Sequence, residues 1–166
     1  MSPKISKRSD IETFRALNNL RIVNEKIDAG ADIIRLEAGQ PCFGAPQGVL
    51  DYAQECIKND PIQGYTDALG MRILRERIAA YYNEYYGVEV DASRIAVTVG
   101  SSAGFIMAFL AAFDAGDTIA LCTPTYAAYK NIIKSLDLNI IEIQTSAETN
   151  FQPSLELLEN SKENFD

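Results

Sequence analysis

Val97-Thr98-Val99-Gly100-Ser101-Ser102-Ala103-Gly104 is the stretch on which the reading of this chain turns. An apolar strand pattern stops at a glycine, two small hydroxyl residues follow, and a long apolar helix begins at once. The first turn of a helix has N–H groups with no intrahelical partner and carries the positive end of the helix dipole, and small residues let an anion approach closely. No acidic side chain lies in the turn to repel one. Two readings fit the local pattern. Gly100, Ser101, Ser102 and Ala103 form a phosphate cradle, or they form an ordinary strand-to-helix turn capped by serine. The nucleotide motifs do not fit, because Gly100 and Gly104 do not give G-x-G-x-x-G and no Walker lysine follows.

Downstream the pattern runs strand (95–99), helix (102–113), strand (118–122), helix (126–136), strand (139–144), which predicts an α/β fold with a parallel or mixed sheet. Ligands of such sheets bind beyond the carboxyl ends of the strands. That rule puts 100–103 and 123–126 on one rim. Upstream, residues 1–8 read as a polar arm. Ser9 and Glu12 have the spacing of a capping box, and Ile11, Phe14, Leu17, Leu20, Val23 and Ile27 recur at helical intervals until Gly30. A short strand is predicted over 33–36 and a helix over 47–58, stopped by Asn59-Asp60-Pro61. A loop over 64–70 leads into a helix over 71–86 with Gly87 as its C′ residue. A short last helix over 153–160 precedes a polar tail.

Composition narrows the function classes. The 166 residues carry a formal net charge of -8, which argues against a nucleic-acid or anionic-membrane surface. There is no histidine, so His-based triads and metal sites are excluded within this chain. Cys42, Cys56 and Cys122 match no zinc or disulfide spacing and are expected to be buried free thiols in a reducing compartment. No apolar run approaches the ~20 residues of a membrane span, and no apolar segment follows the basic N-terminus as in a secretory signal. A cytoplasmic protein is expected.

Three further positions bear chemistry. In Leu36-Glu37-Ala38-Gly39-Gln40-Pro41, Gly39 either brings bare backbone to a ligand or makes a simple turn. Tyr126 after Pro124-Thr125 either lays its ring on a flat conjugated ligand or packs at a helix start. Tyr65 in its glycine-flanked loop either reaches a phosphate or is an exposed turn tyrosine. Tyr81, Tyr82, Tyr85 and Tyr86 read as helix packing and surface, and Lys130 and Lys134 as a solvated face.

Four motifs, taken in order, resemble the N-terminal part of class I/II aminotransferases, the fold-type-I enzymes that use pyridoxal 5'-phosphate (PLP). They are Glu37-Ala38-Gly39-Gln40-Pro41; Tyr65-Thr66-Asp67-Ala68-Leu69-Gly70 followed by Leu74-Arg75; Val97 to Ser102; and Ala115-Gly116-Asp117 leading to Pro124-Thr125-Tyr126-Ala127-Ala128-Tyr129. The resemblance runs from about Ser9 to about Glu159. It implies an incomplete three-layer αβα large domain with a mixed, mostly parallel sheet, preceded by an N-terminal arm and helix. Residues 1–45 would be the arm, helix and a small-domain strand segment, and 46–166 the N-terminal portion of the cofactor-binding large domain.

Roles follow from the resemblance residue by residue. Gly39 would bind the substrate carboxylate. Gly100, Ser101, Ser102 and Ala103 would hold the cofactor phosphate, and Tyr126 would stack on the pyridine ring. Tyr65 would reach across a homodimer interface to the partner's cofactor phosphate. The substrates would be an amino acid and a 2-oxo acid. The Schiff-base lysine and the carboxylate-binding arginine would lie beyond Asp166, so the chain is expected to be a truncated aminotransferase that is inactive alone and either self-associates or needs its missing half. The competing expectations are a PLP-dependent carbon–sulfur lyase of the same fold and a non-catalytic α/β module.

Overall fold

The structure, a computed structural model, describes residues 3–161, 164 and 165. Residues 1 and 2 of the expected arm and 162, 163 and 166 of the expected tail lie outside the described residues. The helices and strands are α1 (Arg15–Asp28), α2 (Gln47–Asn59), α3 (Arg72–Tyr86), α4 (Ser101–Ala112), β1 (Thr118–Thr123), α5 (Ala128–Ser135), β2 (Asn139–Gln144) and α6 (Leu155–Glu159). Short 3-10 turns occupy Lys7–Ser9, Ala92–Arg94 and Ala147–Thr149. The chain forms two compact units. One is Gly39–Thr98; the other joins the residues before Gly39 to those after Thr98.

The second of these is built on β1, α5 and β2. Parallel strands need a crossover, and α5 supplies it. The turn before β1 sets the register. Gly116, at a φ of 100°, donates its N–H to the Asp137 carbonyl at 2.8 Å, and Asn139 N–H reaches the Asp117 carbonyl at 2.8 Å. Pairing then runs from Thr118 opposite Asn139 to Thr123 opposite Gln144. Ile119, Ile133 and Leu138 form the buried core, with Phe109 and Phe113 packed on it; Ile133 has 0% exposure.

The Gly39–Thr98 unit is helical. Its α3 ends at Gly87, which is left-handed at φ 67°, ψ 23° and donates to the Asn83 carbonyl. The loop before α3 is tied to the segment after it, since Val97 N–H donates to the Leu69 carbonyl at 3.0 Å. Asp91 caps the Ala92–Arg94 turn by accepting from Ser93 N–H at 2.7 Å. The Ser93 hydroxyl first, and then this backbone N–H, hold the Asp91 carboxyl below its ordinary value of 3.8. A lowered folded value means the cap contributes fully above the unfolded value and is lost as pH falls through the lowered one. An NMR titration is expected to show the Ser93 amide shift moving with the Asp91 carboxyl at this depressed midpoint. In Asp91→Asn the movement disappears.

The local expectations for α2 to α5, β1 and β2 agree with the structure within two residues at nearly every end. Three expectations need correction. The Ser9–Glu12 capping box does not form, and α1 starts at Arg15 behind Phe14 with no side-chain cap. The segment is held elsewhere: the Glu12 carbonyl accepts from Asn131 Nδ2 at 2.9 Å and the Phe14 ring meets Tyr126. Tertiary contacts have overridden a local helix signal. Residues 33–36 and 95–99 are not strands, because neither has a ladder partner among the described residues. Val99 is 97% exposed, and Ile34 and Leu36 are nearly as open. Their apolar alternation reads a burial that these residues do not supply. The cysteines are free, as expected, but not buried: Cys42 is exposed, and Cys56 and Cys122 are half-buried.

Much apolar surface is bare. Ile106, Met107 and Leu110 of α4 are among the exposed side chains, although a helix apolar on all sides needs cover on most of them.

Candidate functional site

The first residue of the site is Gly100. It is the N-cap of α4 at φ 82°, ψ 165°, a backbone region that only glycine occupies without strain. No side chain caps the helix, and its first turn holds no acidic residue. The serine-capped turn is therefore not what forms. Ser101 and Ser102 are the first helical residues, both exposed, with Ala103 half-buried behind them. The donor set is backbone amide and hydroxyl, concentrated at the positive end of a 12-residue helix. Such a set suits a phosphate dianion.

Tyr126 lies two residues beyond the cis Thr123–Pro124 bond at the carboxyl end of β1. That end is fastened to the next strand's exit, where Thr145 donates both its N–H (2.9 Å) and its hydroxyl (2.8 Å) to the Thr123 carbonyl. The Tyr126 ring is 52% exposed and meets Phe14 at 6.1 Å and Tyr129 at 5.4 Å, both edge-on. Tyr129 in turn meets Phe105 at 4.7 Å. Phe105 is one helical turn from Ser101. This run of rings links Tyr126, beyond the carboxyl end of β1, to Phe105 of α4.

The carboxyl end of β1 borders a cavity of about 580 Å³ between residues 12–15, the Thr123-Pro124-Thr125 exit and the Lys130, Asn131 and Lys134 face of α5. Lys130 is not simply solvated; its Nζ pairs with Glu142 of β2 at 2.6 Å. Gly39 and Tyr65 belong to the other unit. Both are exposed, and nothing stands within 4 Å of where a Cβ on Gly39 would lie. Its amide is open to a close approach. The four helix tyrosines form a mutual cluster, with Tyr81 and Tyr85 stacked at 5.4 Å, as packing residues do.

Three participants carried no role in the sequence reading. Phe14 and Asn131 were hidden because their contacts join positions far apart in sequence. Arg75 was visible inside a motif, but no local spacing announces its backbone partners.

The sequence model described as aminotransferase class I and II matches residues 31–165. The chain belongs to this family. Valine–pyruvate aminotransferase of Mycobacterium tuberculosis is 36% identical over 158 residues, covering 95% of this chain and 40% of that protein. A (5-formylfuran-3-yl)methyl phosphate transaminase of Methanocaldococcus jannaschii is 32% identical, covering 80% of this chain and 36% of its own length. A crystal structure of an aminotransferase from Mycobacterium tuberculosis superposes with a TM-score of 0.91 at 34% identity, covering 99% of this chain and 42% of the other. The chain thus spans about 40% of the length of the curated relatives it matches. Family members share fold type I, generally use PLP, act on amino and oxo acids and usually form dimers. No helix among the described residues is long and apolar enough to cross a membrane.

Proposed function

We propose that this chain is the phosphate-gripping part of a PLP-dependent aminotransferase that moves an amino group from an amino acid to a 2-oxo acid in the cytoplasm. The observation that carries the reading is the uncapped, acid-free start of α4 behind Gly100, on a helix linked through Phe105 and Tyr129 to the half-exposed Tyr126. The cofactor, when bound, supplies an electron sink and a carrier for the amino group. The chain's own residues do the holding. The amides of Ser101, Ser102 and Ala103 and the two hydroxyls take the phosphate, while Gly100 lets the backbone turn toward it. Tyr126 offers its ring face to the pyridine. Gly39 presents its amide to the substrate carboxylate. Tyr65 gives its phenol to the phosphate of a second protomer, so the working unit is a homodimer.

In this reading residues 1–45 serve as arm, helix and small-domain segment, and 46–166 belong to the large domain. The lysine that anchors the cofactor and the arginine that receives the substrate carboxylate belong to the remainder of the whole enzyme. The 166-residue chain alone is expected to show no amino transfer. The bare faces of α4 support the same view, since they need cover that this chain does not give.

The test is equilibrium binding of PLP and of pyridoxal, which lacks the phosphate, to the whole enzyme. Ser101→Ala with Ser102→Ala removes two charge-assisted hydrogen bonds, each worth about 1.5–3 kcal/mol. PLP is expected to bind at least ~100-fold more weakly, while pyridoxal binding is unchanged. Equal weakening of both ligands, or of neither, refutes the cradle.

A further inference from the structure

We infer that Arg75 is a positioning residue, which sets where the Tyr65 loop stands by clamping it to the segment that leads to Gly100. Its Nε donates to the Gly70 carbonyl at 3.1 Å and its Nη1 to the Ala92 carbonyl at 3.1 Å. Gly70 closes the loop that carries Tyr65; Ala92 opens the segment 92–97. One half-buried guanidinium therefore spans two stretches of chain that are 22 residues apart. Its planar fork holds both carbonyls at fixed separation, which an ammonium on a flexible stem does not do.

One further bond makes the same join: Val97 N–H donates to the Leu69 carbonyl, while Gly70 N–H closes the loop's own turn on the Asp67 carbonyl at 2.8 Å. At Gly70 a Cβ would lie 2.8 Å from Val97 Cβ, so the two stretches touch backbone to side chain. Tyr65 itself has no such support; it is fully exposed, at 110% of the reference area. The position of its phenol depends on the loop's closing end, and that end depends on Arg75. Arg75 makes no ion pair among the described residues, so its charge is spent on these carbonyls.

This inference rests on the proposed reading of Tyr65 as a phosphate ligand, and two measurements keep the two separable. The first needs no cofactor. In the whole enzyme without cofactor, Arg75→Met is expected to speed amide exchange at Gly70 and Val97 at least tenfold, with α3 amides from Ile78 to Tyr82 unchanged. Arg75→Lys, which reaches one carbonyl, is expected to fall between. The second is the ratio of PLP to pyridoxal affinity in the whole enzyme. Arg75→Met and Tyr65→Phe are each expected to lower this ratio about tenfold, and the double variant no further than either alone. Unchanged exchange in Arg75→Met overturns the clamp. Faster exchange with an unchanged ratio, while Tyr65→Phe lowers it, overturns the positioning role alone. An unchanged ratio in Tyr65→Phe overturns the reading of Tyr65 and with it the positioning role, leaving only the clamp. A general loss of folding lowers both ligands' affinities and leaves the ratio intact, which also counts against positioning.

Discussion

Gly70→Ala is expected to destabilise the Gly39–Thr98 unit by about 2–6 kcal/mol, from positive-φ strain of ~1–3 kcal/mol and an overpacking cost of similar size. The backbone φ at Gly70 is 88°, where a side chain is strained in any surroundings. The surroundings make it worse: the new Cβ would stand 2.8 Å from Val97 Cβ and 3.0 Å from Val97 Cγ2. Val97 has little freedom to withdraw, because its own N–H is bonded to Leu69. Chemical denaturation followed by exchange at the Val97 amide measures the loss. Val97→Ala is expected not to rescue it, since the nearest atom is the Cβ that alanine keeps. The companion control is Gly87→Asn. Gly87 also has positive φ, but nothing lies within 4 Å of its Cβ position, and asparagine tolerates the left-handed region. Its cost is expected to stay below about 1 kcal/mol. Equal costs at the two glycines would show that the Val97 contact does not matter.

The contrast between these glycines explains what a sequence can disclose. Gly87 was legible as a helix stop because its signal is local: an apolar-periodic run that ends in glycine. Gly70 is legible as a turn residue but not as a packing residue, because Val97 lies 27 positions away. The same division holds across the fold. β1 and β2 were readable because their partner is each other, joined through one helix. Residues 95–99 have the same apolar content and fail to form a strand, because a ladder is a property of two segments and the second is not among the described residues. Ser9 and Glu12 have the right letters for a capping box and lose to Asn131 and Tyr126, contacts more than a hundred residues distant. At the proposed site, Gly100 through Ala103 and Tyr126 stand out in the sequence by type and order. The finding that Gly100 rather than a serine is the N-cap needed backbone angles. Arg75 needed its two carbonyls.

Ser102→Asp is expected to give opposite signs in stability and in cofactor binding, and that opposition separates a phosphate cradle from a plain helix start. A carboxylate in the first turn of α4 meets the positive end of the helix dipole and finds no acidic neighbour there. For folding this is favourable, by about 0.3–1 kcal/mol. For a bound phosphate it is a like charge at contact distance. Two unit charges about 4 Å apart near a protein surface repel by roughly 4 kcal/mol, and a dianion feels more. PLP affinity of the whole enzyme is therefore expected to fall at least ~100-fold while the chain's denaturation midpoint rises slightly. Ser102→Asn keeps the size without the charge and is expected to cost less than a tenth of that affinity loss. Pyridoxal has no phosphate to repel, so its binding is expected to hold in both variants. Were α4 an ordinary helix with no ligand, the aspartate would still raise stability but would leave PLP binding where it was. The helix dipole alone explains a more stable Ser102→Asp; only an anion seated against Gly100–Ala103 explains one that has also lost its phosphate ester selectively.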